Sequence, residues 1–127
     1  CHHFLPKMIE NKSGKIINIS SMWGIVGASL EVAYSATKGA VNAFTKALAL
    51  EEAYSNIQVN AIAPGAVDTN MLSPLSDEDR RLLIRDIPAG RLARPEEIAK
   101  LAAFLASPAA DYITGQIISP NGGFMTY

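Results

Sequence analysis

Three side chains in this sequence have the types and spacing to move a proton onto a carbonyl oxygen. Tyr34 and Lys38 lie four residues apart in AYSATKGAVNAFTKALAL, and Ser21 precedes the tyrosine by thirteen residues at the end of an apolar run. A tyrosine phenol titrates near pH ~10 when unperturbed, and a nearby positive charge favours its anion. On a helix, residues i and i+4 share a face, which brings the Lys38 ammonium beside the end of Tyr34 when both point into a cleft. A phenol tuned in this way gives its proton to a carbonyl oxygen as hydride reaches the carbon, or takes one from an alcohol in reverse. Ser21, closing a strand, can hydrogen-bond the same oxygen and stabilise its developing charge. Trp23, two residues further on, is placed to line a substrate pocket, although a single aromatic in a loop more often packs as a hydrophobic plug.

The elements that must position these groups follow from periodicity and punctuation. FLPKMIENKSGK reads as the end of a helix running into a polar turn, and KIINIS as a short buried strand ending in Ser20 and Ser21. MWGIVGASLE holds two glycines and no helical period, which predicts a loop. From about Val32 to Tyr54 an alanine-rich stretch predicts the longest helix; its small residues Ala36, Gly39, Ala40, Ala43 and Ala47 permit close packing and predict burial on more than one face. NIQVNAIAPG gives a second strand, Ile57 to Ala63, closed by Pro64 and Gly65. Between Asp68 and Ala93 a polar excursion contains a short helix capped by Ser76 and Asp79 and stopped at Pro88. Pro95, Glu96 and Glu97 open a further helix with an apolar stripe at Ile98, Leu101, Ala102 and Leu105, and GQIISP forms a third strand.

Strands alternating with helical crossovers predict an α/β fold with parallel pairing, organised as a single domain over residues 1–127. The ends of parallel strands lie along one edge, where ligands bind, and Ser21, the Tyr34–Lys38 pair and the Pro64–Gly65 break all map there. Asn18 and Asn60 are expected to satisfy backbone groups near the strands, and Arg91 and Arg94 to be solvated.

Composition narrows the partners. The chain has 127 residues, 49% hydrophobic, with 11 basic and 12 acidic side chains interspersed for a net charge of −1. No basic patch recommends nucleic acid or anionic lipid, and no apolar stretch has membrane length. The one cysteine, Cys1, forms no internal disulfide, and adjacent side chains at a frayed end such as Cys1, His2 and His3 rarely converge on a metal. The cytoplasm is the expected compartment.

Six blocks carry a family resemblance: NISS, YSATKGAV, VNAIAPGAVDTNM, IPAGRLARPEEIA, FLAS and YITGQIISPNGG. In that order and spacing the chain resembles the short-chain dehydrogenase/reductases, and within them the 3-oxoacyl-(acyl-carrier-protein) reductases. The resemblance implies the C-terminal half of a Rossmann-type doubly wound parallel sheet with flanking helices. It implies Tyr34 as catalytic acid/base, Lys38 as the residue that tunes it and holds the nicotinamide ribose, and Ser21, in preference to Ser20, as the group positioning the substrate carbonyl. Pro64 and Gly65 match the break beside the nicotinamide, and Val67 and Thr69 match positions contacting its carboxamide and phosphates. The implied cofactor is NADP(H) in preference to NAD(H). The implied substrate is a small-molecule or carrier-bound keto compound, and the implied assembly a homo-oligomer, tetramer or dimer, with the long helix at an interface.

The family's glycine-rich dinucleotide turn is not among these residues. Gly24 and Gly27 follow the serine and do not stand between an opening strand and helix. The family's further catalytic asparagine would precede Cys1. The expectation is therefore a catalytic half, lacking the N-terminal dinucleotide-binding half and inactive by itself. Two classes stay open: a reductase of which these residues are one part, or a truncated non-catalytic partner of full-length subunits. Within the first, SSMWG and NKSGKI...GAVDTNM also resemble a bacterial subgroup that reduces the 5-aminopentanone group on elongation factor P. A sugar-nucleotide epimerase is disfavoured by the ITGQIISPNGG ending.

Overall fold

The computed structural model describes residues 1–126. In chain order it contains α1 (Leu5–Asn11), β1 (Gly14–Ile19), α2 (Trp23–Val26), α3 (Val32–Glu52), β2 (Ile57–Ile62), α4 (Asp77–Asp86), α5 (Pro95–Ala106) and β3 (Ile117–Ile118). β2 is the central strand. It pairs in parallel with β1 from Gly14 opposite Ile57 to Ile19 opposite Ile62, and with β3 through Ala61–Ile117 and Ile62–Ile118. The α/β class and the three parallel strands expected from periodicity are present, with β3 shorter than GQIISP suggested.

All six residues of β2 are buried, as a strand covered on both faces requires. Its side chains alternate between two half-cores. Ile57 and Val59 pack with Leu48 and Ala49 of α3, joined by Leu5, Met8 and Ile16. Ile62 packs with Leu105 and Ala110, joined by the α5 stripe of Ile98, Leu101 and Ala102. Asn60 serves backbone, as expected: its amide donates to the Ile113 carbonyl at 2.7 Å and its oxygen accepts from the Gln116 N–H at 3.0 Å, which steers the chain into β3. Asn18 instead donates to the Thr45 hydroxyl at 2.9 Å, and Thr45 donates on to the Val41 carbonyl, so it ties β1 to α3.

Two expectations change. The segment after Ser21 is not all loop, because Trp23–Val26 closes one helical turn, too short to display a period. α3 is buried along one face only, through Asn42, Thr45, Leu48, Ala49 and Glu52. Its opposite face leaves Ala36, Ala40, Ala43 and Ala47 exposed with Phe44 and Leu50, the latter 81% exposed, because within this chain α3 has a single sheet to lie on.

The excursion from Asp68 to Ala93 is clasped at its base. Val67 and Ala93 form a parallel bridge, the Asp68 N–H donates to the Ala93 carbonyl at 2.8 Å, and Arg80 of α4 pairs with Asp68 at 2.7 Å. Ser76 caps α4 by accepting from the Asp79 N–H at 3.0 Å, with acidic residues filling the first turn. At its return Arg91 is not simply solvated: it grips Glu97 through two hydrogen bonds of 2.8 Å, while the Arg94 N–H donates to the same carboxylate at 2.8 Å.

Those bonds, first from the Arg91 side chain and then from the Arg94 backbone, hold the Glu97 carboxyl at about 2, below its ordinary 4.5. A carboxylate depressed by folding stabilises the native state above its unfolded value, and that contribution fades as pH falls from 4.5 toward about 2. The expected result is that Glu97→Gln lowers the thermal midpoint by a constant amount between about pH 7 and 5, and that the gap to wild type closes as pH falls from 4.5 toward about 2. A gap of unchanged size near pH ~2 contradicts the assignment.

Candidate active site

The carboxyl ends of β1 and β2 open onto a cleft of about 700 Å³. Ser21, Trp23, Tyr34, Lys38, Pro64, Gly65, Val67 and Thr69 all line it, so the residues named from the sequence as candidates for the site come to one place. β1 delivers Ser21, the first turns of α3 deliver Tyr34 and Lys38, and the exit from β2 delivers the Pro64–Thr69 run.

The i and i+4 spacing brings Lys38 and Tyr34 together on α3. The Lys38 ammonium lies over the Tyr34 ring, 5.7 Å from its centroid, and donates to the Ile19 carbonyl at 3.0 Å. That bond uses one of three ammonium hydrogens. Ser20 and Ser21 are both buried, but their hydroxyls differ in task. Ser20 donates to the Lys38 carbonyl at 3.2 Å and so pins α3 to the end of β1. Ser21 accepts from the Trp23 N–H at 3.2 Å, which leaves its hydroxyl hydrogen free to turn toward a ligand oxygen in the cleft.

Gly24 matters for a reason its sequence context conceals. A Cβ built there would sit 2.6 Å from the Lys38 carbonyl carbon and 2.8 Å from the Lys38 Cβ, so only glycine lets α2 cross α3 at this point. The Asn42 amide donates to the Gly24 carbonyl at 2.9 Å and fixes the crossing. Apart from Ser20 and Glu31, the rest of the cleft wall is apolar, with Met22 and with Met71, Leu72, Leu75 and Leu83 of the excursion. Sequence periodicity signalled the excursion but not which of its side chains would turn inward. Among the described residues no cluster of His, Cys, Asp and Glu could hold a metal, and no helix is long and apolar enough to cross a membrane.

The family model described as Enoyl-(Acyl carrier protein) reductase matches residues 1–125. YmfI, an uncharacterized oxidoreductase of Bacillus subtilis (strain 168), is 57% identical over 122 residues, which are 96% of this chain and 50% of YmfI. The 3-oxoacyl-[acyl-carrier-protein] reductase FabG of Chlamydia trachomatis serovar D is 46% identical over 123 residues, 97% of this chain and 50% of that protein. A solved structure from Agrobacterium tumefaciens, provisionally assigned as a 2-deoxy-d-gluconate 3-dehydrogenase and holding bound NADP, matches with a TM-score of 0.90 and 41% identity, over 95% of this chain and 50% of that one. The chain thus spans about half the length of the curated relatives it matches. With the family model covering nearly every residue and the strand-end cleft carrying the tyrosine, lysine and serine, the chain belongs to the short-chain dehydrogenase/reductases.

Proposed function

We propose that this chain is the catalytic half of a cytoplasmic, nicotinamide-dependent reductase that converts a keto group to an alcohol, with a 3-oxoacyl group on an acyl carrier as substrate. The observation that carries the reading is the convergence of Tyr34, Lys38 and Ser21 on one apolar-walled cleft at the strand ends. The similarity to FabG supports the substrate class, and the NADP in the Agrobacterium structure supports NADP(H).

The residues present fit such a cofactor. Lys38 keeps ammonium hydrogens for ribose hydroxyls after bonding Ile19, Tyr34 stands beside it, and Pro64, Gly65, Val67 and Thr69 form the adjoining wall. When bound, the reduced nicotinamide supplies the hydride that the carbonyl carbon accepts. The Ser21 hydroxyl donates to the carbonyl oxygen and stabilises the charge that develops there. The Tyr34 hydroxyl then gives that oxygen its proton, and the Lys38 cation, close over the ring, stabilises the phenolate left behind. The apolar side chains of the excursion offer the substrate's chain a surface to pack on.

The same reading includes a second half carrying the dinucleotide phosphates, supported by β1 lying at the sheet edge with Ile19 54% exposed, and a homo-oligomer that covers the exposed face of α3. The test is NADPH oxidation followed on adding a 3-oxoacyl thioester to the protein as its gene encodes it. Stoichiometric formation of the 3-hydroxyacyl product is expected; NADPH consumption that ignores the thioester, or none at all, overturns the reading.

A further inference from the structure

The Trp23 indole does not stand alone. Phe124 meets it edge to face, with ring centroids 5.7 Å apart and planes at 82°. Phe124 belongs to a turn assembled around Asn121, whose amide donates to the Ser119 hydroxyl and the Met125 carbonyl, each at 3.0 Å, and whose oxygen accepts from the Gly123 N–H at 2.9 Å. Gly122 and Gly123 take φ of +66° and +83°, a region that glycine enters without strain.

This turn is docked against the segments that bound the cleft. The Gly65 N–H donates to the Pro120 carbonyl at 3.1 Å, and a Cβ on Gly65 would come within 2.9 Å of Asn121 Cα. On the other side the Ala89 N–H donates to the Gly122 carbonyl at 2.9 Å, and a Cβ on Gly122 would meet the Ile87 side chain at 2.9 Å. The turn is therefore held from two sides, and the Phe124 ring it carries packs edge to face against the indole.

Trp23 lines the cleft and its backbone N–H donates to the Ser21 hydroxyl at 3.2 Å, so the residue stands beside the place where the keto oxygen is held. We infer that Phe124 is a positioning residue: it immobilises Trp23 as one wall of the cleft and thereby sets the preference for keto substrates with an extended apolar chain. This rests on the reductase reading and adds the substrate feature that the site selects. A wall already fixed costs an incoming chain no ordering of the indole, whereas a swinging ring must be ordered each time a ligand binds. A short substrate that ends before the indole is indifferent to the difference.

The experiment compares wild type with Phe124→Leu and Phe124→Tyr, using N-acetylcysteamine thioesters of a four-carbon and a ten-carbon 3-oxo acid. Trp23 is followed by 19F spectra of 5-fluorotryptophan protein, its resonance assigned by loss in Trp23→Phe. Phe124→Leu should broaden or shift the Trp23 resonance and raise KM for the ten-carbon substrate about fivefold with kcat nearly unchanged, while the four-carbon substrate moves less than about twofold. Phe124→Tyr, which keeps the edge-to-face ring, should restore both readouts. An unmoved Trp23 resonance, equal effects on the two substrates, or failure of the tyrosine variant to restore the profile overturns the inference. If wild type reduces neither thioester, the reductase reading fails, and unreactive decanoyl-N-acetylcysteamine still decides this point: it must shift the Trp23 signal in wild type and less so in Phe124→Leu, and no shift in wild type overturns it.

Discussion

Tyr34→Phe is expected to lower kcat for a 3-oxoacyl thioester about a thousandfold while NADPH binding changes by less than about threefold. The substitution removes one oxygen and leaves the ring, so the Lys38 ammonium stays 5.7 Å from an aromatic centroid and still reaches the Ile19 carbonyl. What is lost is the proton that the ketone oxygen must receive as its bond to hydride forms. A thousandfold corresponds to about 4 kcal/mol of transition-state stabilisation, within the range of one well-placed general acid. Single-turnover NADPH oxidation separates this from a binding defect. A variant retaining more than about a tenth of wild-type turnover would show that the proton comes from elsewhere.

The second large effect is expected at Gly24. Gly24→Ala drives a methyl into the Lys38 backbone at 2.6 Å, and neither side can yield easily: Ser20 anchors the Lys38 carbonyl and Asn42 anchors the Gly24 carbonyl. Overpacking of this kind costs about 1–3 kcal/mol. It also displaces the turn that carries Tyr34 and Lys38, and a displacement near 1 Å is enough to cost about a hundredfold in rate. Gly39→Ala is the matched control. Its added Cβ meets only the Gly24 carbonyl oxygen at 3.6 Å, ordinary contact, and replacing a mid-helix glycine is worth about 0.5–1 kcal/mol of stability. The thermal midpoint should therefore fall in Gly24→Ala and rise in Gly39→Ala, with the initial rate lost only in Gly24→Ala; equal behaviour contradicts the proposed role of the α2–α3 crossing.

The parts of this molecule that were legible in sequence are those encoded locally. The β-branched runs before Ser20 and Pro64, the Ser76 cap and the stripe from Ile98 to Leu105 each announce their element within a few residues, and each element lies where expected. The site residues were visible because i, i+4 spacing and strand ends are also local signals, and parallel topology gathers strand ends on one edge. What stayed hidden depends on distant partners. Nothing near Gly24 reveals that Lys38 will cross it, and nothing near Trp23 reveals a ring 101 positions later in the chain. The composition of α3 predicts burial on more than one face because small residues pack closely, yet composition cannot say whether the covering surface lies in the same chain. Arg91 follows the same rule: it is exposed, as an arginine beside a loop suggests, and only the return of the chain brings Glu97 into its fork.

The central claim is that Tyr34 and Ser21 act on one oxygen, with Lys38 behind the tyrosine. A crystal structure of the protein with NADP+ and a 3-hydroxyacyl thioester tests it most directly. The account predicts the hydroxyl oxygen of the ligand within hydrogen-bond reach, about 2.6–3.2 Å, of both the Tyr34 and Ser21 hydroxyls. A ligand oxygen held away from Tyr34, or one contacted by Ser21 while Tyr34 turns toward bulk water, contradicts it.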